Sequence, residues 1–126
     1  MLVFADYAFF FLHTLLIVFN MTGFAWRRMR KIHLVTVALT MFSWFALGAF
    51  YGWGYCICTD WHFQVREKLG YIDPETSYIQ LLSVKILGLS ISRSLADWLA
   101  GIVLLYILIA TAIVWLRPKK SPAAGQ

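Results

Sequence analysis

A chain of 126 residues that is 61% hydrophobic and only 13% charged is too apolar for a soluble domain, in which about a quarter of the residues carry charge. The net charge of +5 would suit nucleic acid as a partner, but its placement argues against one. Arg27, Arg28, Arg30 and Lys31 form one cluster and Arg117, Lys119 and Lys120 another, each directly after an apolar run and free of acidic residues, and clusters so placed orient membrane helices.

Three runs are long enough to cross a bilayer, for which about 20 apolar residues are needed: residues 2–25, 33–55 and 95–116. Each is read as an α-helix, since unpaired backbone cannot cross lipid. The fold class is therefore all-α, an integral membrane protein whose first partner is the lipid bilayer. Residues 1–116 form one membrane domain and 117–126 a cytoplasmic tail. With both basic clusters cytoplasmic, the N-terminus lies outside, and a bacterial inner membrane is the expected location. The first run is expected to stay in the mature protein, because its basic residues follow the apolar stretch, whereas a signal peptide has them before it.

In the first span, Asp6, His13, Asn20 and Arg27 recur every seven residues, a spacing that keeps them near one helix face with about 20° of drift per step. In the second, His33, Thr36, Thr40 and Ser43 make a comparable stripe. Two polar stripes on neighbouring helices most simply face each other and hydrogen-bond, although ionisable groups within a bilayer also raise a functional hypothesis. Haem between His13 and His33 is disfavoured within one subunit. His13 lies about 16 Å by helical rise from the cytoplasmic end of its span, whereas His33 sits at the edge of its own. Gly48 and Gly52 form a G-x-x-x-G pattern suited to close helix packing.

Residues 56–94 form the outer segment. Thr59 is placed to cap a short helix in which Trp61, Val65 and Leu69 share a face before Gly70. Asp73 and Pro74 suit the start of a second helix over residues 74–87, read as interfacial or re-entrant because it is short and carries Lys85. Cys56, Cys58, Asp60 and His62 are metal-binding residue types, but C-x-C lacks the usual zinc spacing, and a bridge between the two cysteines would be strained. The expectation is a packed loop with no metal and no cofactor. Ser94 and Asp97 make a capping pattern that opens the third span.

The string Cys56, Thr59, Trp61, Arg66, Gly70, Tyr71 resembles the core of a family of small bacterial inner-membrane proteins known only as a domain of unknown function, C-P-L-T-x-W-E-x-x-L-R followed by G-Y. His13 and His33 also resemble that family's two histidines. The resemblance runs from about residue 7 to residue 115, with departures at Ile57, Cys58, His62 and Val65. It implies an internal partner for Arg66 and brings no activity.

No nucleophile–base pair and no phosphate-binding loop is legible, so no catalytic residue is assigned. The reading is a non-catalytic accessory or assembly subunit of a larger membrane complex, of respiratory or photosynthetic type, with other membrane subunits as partners. The alternative is a small membrane enzyme or a redox, quinone- or lipid-interacting protein using His13, Asp6 and the outer loop. The polar positions singled out for either role are Asp6, His13, Asn20, His33, Cys56, Thr59, Trp61, Arg66 and Asp97.

Overall fold

The computed structural model describes residues 1–117, so the tail expected beyond Arg117 lies outside the described residues. Every regular element among them is helical. Three helices are long and apolar enough to cross a membrane: Leu2–Ala25, Arg30–Tyr51 and Arg93–Leu116. We label the α-helix Leu2–Thr22 α1, followed by a 3₁₀ turn over Gly23–Ala25. The second long helix, Arg30–Tyr51, is α2, and it widens to a π-turn over Ser43–Leu47. Then come α3, Ile57–Lys68, and α4, Tyr78–Leu87, whose second half is also π-helical. The last is α5, Arg93–Leu116.

Polar side chains are gathered in the interior and many large apolar ones face outward, the arrangement expected where lipid rather than water surrounds a fold. The buried polar side chains include Asp6, His13, Asn20, His33, His62, Arg66 and Thr111, whereas the buried hydrophobic ones are Val37, Tyr78, Leu81, Ala96, Leu104 and Ile107. Phe4, Phe11, Leu39, Phe50 and Ile102 are left exposed. Helices α2 and α5 both pack against α1. Arg93 shares a groove with Trp53 just beyond α2, and Tyr106 Oη donates to Met21 O at 3.3 Å near the end of α1. Helix α5 therefore runs in the same direction as α1, which brings Arg117 to the end of the bundle that carries Arg27 and Arg28.

The chain turns sharply after α2. Gly52 sits at φ +114° and Gly54 at φ +77°, conformations that side-chain-bearing residues rarely adopt. The turn folds back over the helix, so that a Cβ on Gly48 would lie 3.6 Å from Gly54 N and 3.7 Å from Trp53 Cα. Gly48, the first glycine of the expected G-x-x-x-G pattern, lies against the chain's own loop, and Gly52 ends the helix. Ser43, at the π-turn, secures that loop by donating to Tyr55 O at 3.0 Å and accepting from Ile57 N at 3.4 Å. The second span accordingly stops at Tyr51, short of the expected residue 55.

Three expected caps are also corrected. The N-cap of α3 is Cys56, with no side-chain bond, so Thr59 lies inside the first turn. Helix α4 begins at Tyr78 rather than Pro74, and Ser77 caps it by accepting from Gln80 N at 3.3 Å. Helix α5 is capped by Ser92, which accepts from Leu95 N at 3.2 Å, while Ser94 is inside the helix and Asp97 meets Arg93 at 3.9 Å in an exposed pair. Helix α4 is about 15 Å long by helical rise, too short to cross. It folds against α5, with Gln80 Nε2 donating to Ile91 O at 3.0 Å and Ser83 Oγ donating to Leu89 O at 2.8 Å.

Candidate functional site

At the end of the bundle that carries α3 and α4, one turn into α1, Asp6 is the hub of a buried ionic network. His62 Nε2 donates to Asp6 Oδ1 at 2.7 Å, and Arg66 Nη1 donates to Asp6 Oδ1 at 3.1 Å and Oδ2 at 3.3 Å. The other edge of the guanidinium grips Asp73, with Nε to Oδ2 at 2.6 Å and Nη2 to Oδ1 at 2.7 Å. His62 and Arg66 stand four residues apart on one face of α3, as neighbours on a helix must to reach the same partner.

The sequence places Asp73 by the way α3 ends. Gly70 takes φ +83°, Gly70 N donates to Glu67 O at 2.9 Å and Tyr71 N to Arg66 O at 3.1 Å, a Schellman ending that reverses the chain. Tyr71 then lies with its ring centroid 4.7 Å from Arg66 Cζ, within cation–π range. Arg66 thus has a carboxylate at each edge and an aromatic face beside it. Its pKa is held well above the ordinary arginine value, by the hydrogen bonds to Asp73 first and then by Asp6, against the opposing effect of burial. His62 is fully buried, and burial lowers its pKa despite the Asp6 carboxylate. Its Nε2 carries the proton that Asp6 accepts, while its Nδ1 is buried without a partner.

A second cluster lies deeper along the same face of α1. The His13 ring stacks on Tyr78 with centroids 3.8 Å apart and planes at 13°. Tyr78 Oη is fixed by Phe10 O at 2.7 Å and Thr14 Oγ1 at 2.7 Å. His13 Nε2 lies 3.9 Å from Cys56 Sγ, and its Nδ1 is buried without a partner.

A third cluster joins α1 to α2. Asn20 Oδ1 accepts from Thr36 Oγ1 at 2.7 Å, Asn20 Nδ2 donates to Thr40 Oγ1 at 3.1 Å, and His33 Nε2 donates to Asn20 O at 2.8 Å. His33 is enclosed by the edges of Phe19 and Phe24. Gly23 is needed there, since a Cβ on it would come within 2.8 Å of His33 Cδ2.

The seven-residue stripe of Asp6, His13 and Asn20 is thus buried as one face, but only Asn20 meets the stripe on α2. Asp6 and His13 face α3 and α4, Ser43 turns to the loop, and Arg27 is exposed. Trp61 and Asp97 are exposed and Cys58 is half-buried. Sequence reasoning missed His62 as a partner of Asp6, although its spacing from Arg66 was available, and missed Tyr78. Asp73 was read as a helix cap. Among the described residues, no three His, Cys, Asp or Glu side chains converge as a metal site.

No curated protein and no solved structure matches the chain. A family model described as a protein of unknown function, DUF2784, matches residues 3–117. With nearly the whole chain matched, this protein belongs to the DUF2784 family of proteins of unknown function.

Proposed function

We propose that the chain is a non-catalytic accessory or assembly subunit that packs into a larger complex in a bacterial inner membrane. The observation that carries this reading is how the ionisable residues of the interior are used. Asp6, His62, Arg66 and Asp73 bind one another and hold α3 against α1, which is architectural work. Three long helices enclose little volume for a transport path, while aromatic and aliphatic side chains such as Phe4, Phe11 and Phe50 face outward and offer surface to lipid or to a neighbouring helix.

Purification from native membranes in mild detergent tests the proposal. The expected result is stable co-purification with other membrane proteins in fixed ratio, with no intrinsic pigment. Recovery of the chain alone under the gentlest conditions, or with a stoichiometric chromophore, would overturn it.

The proposed orientation has the N-terminus and residues 56–94 outside, with both basic clusters cytoplasmic. In a cysteine-free background, Ile72→Cys should react with an impermeant thiol reagent in intact cells and Arg28→Cys should not. Ile72 and Arg28 are both exposed, so the reverse pattern would invert the topology.

A further inference from the structure

The ionic network uses neither His13 nor Cys56. Cys56 Sγ lies 3.9 Å from His13 Nε2, and the ring is clamped in place by its stack on Tyr78. His13 is only 8% exposed, and its Nδ1 has no partner. Cys56 also occupies the N-cap of α3, a 12-residue helix, where the positive end of the helix dipole favours a thiolate. It lines an open groove of about 510 Å³ together with Asp60, Tyr78, Glu75, Arg93 and Asp97. A second free thiol, Cys58, follows two residues later.

Electrostatics separates the two cysteines. Cys56 is held below the ordinary thiol value, chiefly by the Cys58 thiol and then by His13, against burial. Cys58 is pushed up by Cys56 and by burial. The groups facing Cys56 are His13 from α1, Cys58 and Asp60 from α3 and Tyr78 from α4, with Glu75, Arg93 and Asp97 across the groove. Arg93 is matched by Asp97 at 3.9 Å, which leaves Asp60 and Glu75 to make the rim acidic.

We propose that Cys56 and His13 form a nucleophilic thiol–imidazole pair that exchanges with the disulfide of a basic polypeptide segment docked in this groove. His13 Nε2 takes the Cys56 proton, and the thiolate attacks one sulfur of the partner's disulfide. The partner's S–S bond breaks, its other sulfur leaves with the electron pair, and His13 returns the proton to it. A Cys56–partner mixed disulfide results, which tethers the partner in the groove, as suits an assembly subunit. One S–S bond breaks as another forms, the partner's second sulfur is released as a thiol, and no external oxidant is needed. Trapping by Cys58 is disfavoured because a C-x-C bridge is strained. The acidic rim selects a cationic segment over an anionic one.

The test reacts the full-length protein in nanodiscs with two small disulfides, cationic cystamine and anionic oxidised glutathione, and locates the adducts by mass spectrometry over a range of pH. Cys56 should be modified well ahead of Cys58. Its rate should be half-maximal at a pH at least about one unit below the ordinary thiol value of about 8.5. Cystamine should react at least about 10-fold faster than oxidised glutathione, relative to an unstructured peptide spanning residues 54–60. The preference should fall in Asp60→Asn, and in His13→Gln the half-maximal pH should return toward about 8.5. Because His13→Gln could disturb the packing on Tyr78, the wild-type profile decides alone. A Cys56 midpoint at the ordinary value, earlier reaction at Cys58, or equal relative rates for the two disulfides would overturn the proposal.

Discussion

Replacing Arg66 with methionine is expected to cost the fold about 3–5 kcal/mol, the range for removing one partner from a buried ionic network. The aliphatic part of the side chain is conserved, so the loss measures the guanidinium. Asp6 keeps only the hydrogen bond from His62, in a site where its side chain is 9% exposed. Asp73 loses both of its bonds to the guanidinium, though its side chain is 14% exposed and can recover some solvation. Arg66→Lys should recover less than half of the loss, because one ammonium cannot present two edges to two carboxylates. Unfolding in a fixed detergent micelle measures both, and a change below about 1 kcal/mol for Arg66→Met, the scale of a surface pair, would mean that the network is not closed.

The second large effect belongs to Asn20→Leu, which removes the polar bridge between α1 and α2 while keeping the side-chain size. The expected cost is about 1–2 kcal/mol, near the upper end measured for hydrogen bonds between membrane helices. It is bounded because each threonine has a fallback. Thr36 Oγ1 can donate to His33 O at 2.9 Å, and Thr40 Oγ1 donates to Thr36 O at 2.9 Å. His33 is unaffected, since its acceptor is the backbone carbonyl of residue 20. Asn20→Leu combined with Thr40→Val should therefore cost less than the sum of the two single variants. A fully additive result would indicate that Asn20 and Thr40 act independently.

What was legible in the sequence divides along physical lines. Hydropathy and length identified the three helices long and apolar enough to cross a membrane, because lipid imposes the same requirement along each whole helix. The seven-residue spacing identified Asp6, His13 and Asn20 as one face, but periodicity fixes a direction from the helix axis and not the neighbour that lies in it. Hence α3 and α4, rather than α2, face Asp6 and His13. Gly70 was readable as the end of α3 because a left-handed position favours glycine. Asp73 was not readable, since a carboxylate before proline suits a helix start equally well, and only the proximity of Arg66 across the turn gives it another role. Gly48 and Gly52 fit a helix-packing pattern and a helix-ending turn alike, and the positive φ of Gly52 shows that it serves the turn.

The claim on which the rest depends is that α3 is locked to α1 through Asp6 and Arg66. A double-mutant cycle with Asp6→Asn, Arg66→Met and the pair, followed by reversible unfolding in the same micelle, tests it most directly. Coupling of about 2–3 kcal/mol is expected, toward the upper end for residues in direct contact within one network. Additivity within about 0.5 kcal/mol, the behaviour of sites that share no partner, would contradict the account.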